Sequence, residues 1–160
     1  MKKILSLLIA LVLFSGNVFA EMIIDENKLK EISREIVQAM KDKDFSVVEK
    51  YMYPGSKIVV DMDPANNRGE KEISYDEFMK LTKMGMEMMG DIEIHDELIS
   101  ISIDKAKNQG TIEEKTIAVM DMMGMKIEDI SISKTTYGVV SGQIKVLSQE
   151  DQLISSGPVE

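Results

Sequence analysis

Residues 91–120 read DIEIHDELISISIDKAKNQGTIEEKTIAVM, and their alternation decides the fold. Ile92 and Ile94 keep one phase, while Ile99, Ile101 and Ile103 keep the opposite one. Side chains alternate faces along a strand, so one long strand with a switched phase implies a β-bulge, here near His95 to Leu98. Asp104 to Gly110, DKAKNQG, is turn chemistry and leads into a second alternating run, TIEEKTIAVM. Placing Asp104 opposite Gly110 sets Asp91 against Met123 and His95 against Val119.

That register brings together two nearly identical segments, MEMMG at 86–90 and MDMMG at 120–124. Upstream, Ser74 and Glu77 form a capping box that opens a helix. At about 100° per residue its apolar arc collects Phe78, Leu81, Met84, Gly85, Met88 and Met89, with Met79 and Met86 on the flank. Gly90 stops it. Further upstream lies a helix from about Glu26 to Lys41, with Leu29, Ile32, Ile36, Ala39 and Met40 on one face and Asp25 as N-cap. Asp44 caps a shorter helix that ends at Pro54-Gly55. Ile58, Val60 and Met62 then alternate as a strand, and residues 70–73 make a short return. Downstream, Gly124 turns the chain into KIEDISISKTTYGVV, where a second phase switch falls between Ile127 and Ile130. Ser141-Gly142 turns it again into QIKVLS. From Gln149 onward the sequence is polar and reads as a fraying tail.

The first twenty residues stand apart. Lys2 and Lys3 precede the apolar run Ile4 to Phe14, and Val18 and Ala20 hold the small positions before a cut. This is the pattern of a secretory signal peptide, and the run is too short for a span of about 20 residues. The expected division is a signal peptide at 1–20, one domain at 21–148 and a tail at 149–160, with the processed protein periplasmic or secreted. The formal charge is −9, and losing Lys2 and Lys3 makes it more negative by two. With no basic stripe, nucleic acid is an unfavourable partner and so is an anionic membrane surface. Cysteine is absent, which removes disulfides, thiolate catalysis and cysteine-held metal.

The fold class is α+β: three helices packed on four long, bent antiparallel strands plus a short strand pair. This order resembles the NTF2-like superfamily, the cone that includes SnoaL-like and ketosteroid-isomerase-like domains. The stretches that carry the likeness are DFSVVEKYMYPGSKIVVDMDP, GEKEISYDEFMKL and TTYGVVSGQIKV, although Ile144 stands where many members place a tryptophan. The resemblance implies a pocket under the curved sheet and a homodimer through the sheet's outer face.

Three chemistries compete for that pocket. Flexible, polarizable methionines suit a non-catalytic site for a small apolar ligand or a protein partner. Tyr51, Met84, Met88, Met89, His95, Met120, Met122 and Met123 are its expected lining. Thioethers also favour Cu(I) or Ag(I), for which Met88, Met122, Met123 and His95 are the ligand set. An isomerase-like enzyme would use a carboxylate or histidine base, Asp61, Asp63 or His95, with Tyr51, Tyr53 or Tyr137 as donor. No motif calls for an organic cofactor: there is no glycine-rich phosphate loop and no nucleophile elbow. The expectation is a binding protein, with metal binding and catalysis as the alternatives.

Overall fold

The computed structural model describes residues 22–61, 69–122 and 124–159. Residues 1–20, read as a signal peptide, lie outside that range, as do Asp63 and Met123. The elements are α1 (Glu26–Asp42), α2 (Phe45–Tyr51), β1 (Lys57–Asp61), β2 (Lys71–Ile73), α3 (Tyr75–Met88), β3 (Ile92–Asp104), β4 (Gln109–Met122), β5 (Met125–Val140) and β6 (Gln143–Pro158). One six-stranded sheet has the order β2-β1-β6-β5-β4-β3. Every junction is antiparallel except β1–β6, which is parallel.

Local chemistry sets the helix starts. Asp25 accepts from the Lys28 N–H at 2.8 Å, Asp44 from Ser46 at 3.1 Å and Ser74 from Glu77 at 3.1 Å. Each bond satisfies one of the donors that a helix start leaves open. The Glu77 carboxylate turns to Lys71 Nζ at 3.2 Å.

The bulge in β3 is present. Leu98 pairs with Glu114 and Ser100 with Glu113, which leaves Ile99 as the extra residue. Ile92, Ile94, Asp96 and Leu98 before it share a face with Ile101 and Ile103 after it. The expected register slips by one residue at the turn, where Asp104 faces Gln109, and His95 faces Ile117. The switch in β5 has a different origin. β5 runs in continuous register with β4, so Ile127 faces the helices while Ile130 and Ile132 face the other side. The remaining bulges lie in β6, at Leu147 and Ile154.

The expected tail from Gln149 is instead the second half of β6. Gln149 to Gln152 pair with Ile58 to Asp61 on one side and with Thr135 to Ile132 on the other. The face of α3 is also corrected. Met86 is buried, whereas Leu81, Met84 and Met88 are exposed. Apolar residues ring most of this helix, and contacts with α2 and β1 select Tyr75, Phe78, Met79 and Met86.

The helices cover one face of the sheet, and the core lies between the two layers. Ile24, Leu29, Ile32 and Ile58 are its most fully buried side chains. The chain entering α1 is pinned by Asn108, whose side chain accepts from Ile24 N–H at 2.9 Å and donates to the Met22 carbonyl at 2.7 Å. Gly110 faces this packing: a Cβ there would lie 2.8 Å from Leu29 Cδ1 and 2.9 Å from Ile24 Cγ2. Both neighbours are fully buried and have nowhere to move. Gly110→Ala is expected to cost about 1–3 kcal/mol in urea unfolding, and an unchanged midpoint would refute that packing.

Candidate functional site

On the helix-covered face the sheet side chains form rows. Ile101, Ile112, Thr135, Gln149, Ile58 and Ile73 make one row, all six residues buried or half-buried in the core's wall beside α1 and α2. The next row reads Leu98, Glu114, Ser133, Asp151, Val60. It places two carboxyl groups two strands apart, about 10 Å between backbones. Beyond it come Asp96, Thr116, Ser131 and Leu153. The covered face thus grades from apolar to polar.

Glu114 lies at the floor of a groove of about 570 Å³ between α1 and β3. Lys30, Ser33, Arg34, Val37, Gln38 and Lys41 form the α1 wall, and Ile94, Asp96 and Leu98 the β3 wall. Ser33 is buried among the apolar residues of α1 and donates to Glu114 Oε1 at 2.6 Å. Thr116 donates to Asp96 Oδ1 at 2.7 Å. Burial pushes the Glu114 carboxyl above the usual range; the Ser33 bond opposes this and the charge of Asp96 adds to it.

Asp151, deeper in the same row, is pushed up to about 6 by burial, against a 2.6 Å hydrogen bond from Gln149 Nε2. Tyr137 is buried in the next part of β5, and burial, with Glu114, Tyr51 and Asp151 nearby, keeps its phenol neutral far beyond the ordinary value. Its ring meets Tyr51 edge-on, with centroids 6.5 Å apart at 87°. Tyr51 donates to Glu35 at 2.5 Å, and Lys50 reaches the same carboxylate at 2.6 Å while sitting 4.7 Å from the Tyr51 ring centre. The lysine, then the phenol, holds Glu35 below its ordinary value.

The residues singled out from sequence do not line this groove. Tyr51 lines a separate cleft of about 340 Å³ with Lys50, Ile144 and Lys145. His95 is exposed and alternates with buried Ile94, so it projects from the far side of the sheet. Asp61 alternates with Val60 and likewise sits on that side, in a cleft with Glu113 and Lys134. Met84 and Met88 are exposed, Met89 is half-buried and Met120 is buried. The Met122 side chain and Met123 lie outside the described residues.

The two pentads do meet, through their backbones. Gly90 N–H donates to the Asp121 carbonyl at 2.9 Å, and Asp121 N–H to that of Asp91 at 3.1 Å. The cleft beside them, about 430 Å³, is lined mainly by Asp91, Glu93, Val119, Asp121 and Lys126, and Met120 is its only methionine among the described residues. Among those residues no group of three or more His, Asp or Glu is placed to hold a metal ion, and no helix is long and apolar enough to cross a membrane.

Sequence reasoning missed Ser33, Asp96, Glu114 and Asp151. Two of them carried a usable signal. Ser33 interrupts the apolar face of α1, and Glu114 shares the phase of Ile112. A polar residue on the inward face of each of two elements is a pair waiting to be matched.

Ionising Asp151 in this setting works against the fold. Its folded value lies above its ordinary 3.8, so its contribution to stability is greatest below about pH 4, falls as pH rises towards 6 and is level above. Asp151→Asn is expected to raise stability by about 1–2 kcal/mol at pH 7.5 and to flatten the profile between pH 4 and 6, read by thermal unfolding across that range. A variant that parallels the parent at every pH would contradict this assignment.

No protein-family model matches the chain, and no curated protein sequence matches it. Solved structures do. A conserved protein from Planctomyces limnophilus superposes with a TM-score of 0.68 at 12% identity, covering 84% of this chain and 98% of that one. A putative scytalone dehydratase from Novosphingobium aromaticivorans gives 0.63 at 10%, covering 82% and 85%. An NTF2-like protein from Cytophaga hutchinsonii gives 0.60 at 8%, covering 82% and all of the other chain.

Proposed function

We propose that this chain, which has the NTF2-like fold, binds a small molecule in the groove between α1 and β3. Ser33 and Glu114 recognise the polar part of that ligand, and Val37, Ile94 and Leu98 pack against its body. The Ser33–Glu114 hydrogen bond at the groove floor carries this reading. Packing alone gives no reason for it. An aliphatic side chain buried at either position would contribute about 1.5–3 kcal/mol, whereas a hydrogen bond nets about 1 kcal/mol and here one partner is a carboxyl that burial disfavours. Giving up that difference at the bottom of an open groove supports a recognition site there.

The ligand is met outside the cytoplasm, on the strength of the Lys2-Lys3 start, the short apolar run and the Ala20 cut. Binding through the methionine-rich end has less support, since the cleft there is lined chiefly by charged residues.

Mapping by two-dimensional NMR with a library of small organic molecules separates these readings. Shifts should concentrate at Ser33, Val37, Asp96 and Glu114, and Glu114→Ala should abolish them while the spectrum stays dispersed. Shifts concentrated at Gly90 and Asp121 would restore the methionine-rich site, and a library without hits would remove the binding reading.

Acid–base catalysis is a second reading. Asp151, with a value near 6, shares a row with Glu114, which is suitable for proton transfer near neutral pH. One structural neighbour is described as a putative dehydratase. In this reading Glu114 exchanges a proton with bound substrate, and Asp151 adjusts the charge behind it. Glu114→Gln would then lower turnover about a hundredfold or more with ligand affinity largely kept; equal loss of affinity and turnover would assign Glu114 to binding alone.

A further inference from the structure

Beyond Glu26 and Lys28 in its first turn, the charges of α1 are sorted by flank. Glu31, Glu35 and Asp42 lie on the side away from the groove, while Lys30, Arg34 and Lys41 all line it. At about 100° per residue a helix surface usually interleaves its signs, because i,i+4 pairs of opposite charge stabilise it. Here the basic residues are largely left to the groove. Glu26 approaches Lys30 only at 3.9 Å, and among the described residues no carboxylate lies within ion-pair distance of Arg34 or Lys41. Lys28, on the acidic flank, is paired with Glu31 at 3.0 Å.

The facing side offsets only part of this charge. Asp96 is its one exposed acid, and it is turned into a hydrogen bond with Thr116. Glu114 is bonded to Ser33 at the floor. In a chain with a formal charge of −9 this groove thus sets three cations against two carboxyl groups, with apolar side chains at Val37, Ile94 and Leu98 between the cations and the floor.

We infer that the ligand of this groove is an anionic amphiphile, a small organic acid whose carboxylate or sulfonate is held by Arg34 with Lys41 and Lys30 beside it. Its apolar body lies along Val37 and Leu98, and a hydroxyl or carbonyl at the far end meets Ser33 and Glu114. The guanidinium suits this role because its planar fork binds a carboxylate through two parallel hydrogen bonds. The inference rests on the groove being the binding site, and the experiment keeps the two apart.

Two fluorescent probes of similar aromatic body test it: 8-anilinonaphthalene-1-sulfonate, which is anionic, and N-phenyl-1-naphthylamine, which is neutral. The folded protein should bind the sulfonate at one site, about tenfold more tightly than the amine. Arg34→Gln, at an exposed position, should weaken the sulfonate about tenfold and leave the amine unchanged. Val37→Trp, which fills the groove, and Leu98→Trp, a second blocker at an exposed position, should displace both. Near-ultraviolet circular dichroism confirms that each variant is folded. Equal affinity for the two probes, both lost in the blocked variants, overturns the anionic ligand and keeps the groove. Probe binding that survives both blockers, or no saturable binding of either probe, overturns the groove and the inference together.

Discussion

The sheet must curve over α1, and three extra residues make that possible. Ile99 in β3 and Leu147 and Ile154 in β6 each stand alone against a partner strand that advances without them. A bulge bends and twists its strand locally, so the sheet closes around Leu29 and Ile32 rather than lying flat beneath them. The bulge at Leu147 needs its own accommodation. A Cβ on Gly138 would sit 2.5 Å from Leu147 Cδ1, so only glycine lets that side chain fold back across β5. Without the bends, the polar row would be an ordinary solvated stripe; with them, it becomes the floor of a groove walled by α1.

The depth of that row explains its electrostatics. Glu114 and Asp151 lie in one row beneath the helices, two strands apart and out of direct contact, and burial disfavours the ionised form of each. Tyr137 and Tyr51 close the space behind them with an edge-on ring pair. The polar groups are therefore backed by rigid aromatic packing. At the mouth of the same groove, α1 gathers Lys30, Arg34 and Lys41 on a chain whose formal charge is negative.

Much of this architecture was legible in the sequence because it is local. The caps at Asp25, Asp44 and Ser74, the apolar face of α1, the β3–β4 hairpin and the bulge near Leu98 depend on residues within a few positions of one another. The second half of β6 was not legible. Gln149 and Asp151 point inward and Glu150 and Gln152 outward, so no alternation marks a strand, and the pairing that makes it one comes from β1 about ninety residues earlier in the chain. The methionines misled for a related reason. With apolar side chains around most of α3, periodicity defines no single face, and only the contacts with α2 and β1 decide that Met86 goes in while Met84 and Met88 stay out. The groove itself follows from a match between Ser33 and Glu114, which single-element patterns do not contain.

The parallel pairing of β1 with β6 also has a kinetic consequence. Ile58 is fully buried in the finished fold, yet the strand that flanks it, with Gln149 at its side, is the last of the sheet to be synthesised. Until β6 forms its long antiparallel seam with β5, β1 and β2 are a two-stranded ribbon, a unit that is marginal on its own in water. The β3–β4–β5–β6 meander is built from near-neighbour pairings, whereas β1 joins it only across a long loop closure. Contacts of such large sequence separation slow folding, so the seam that completes the core around Ile58 is also the one that closes the longest loop.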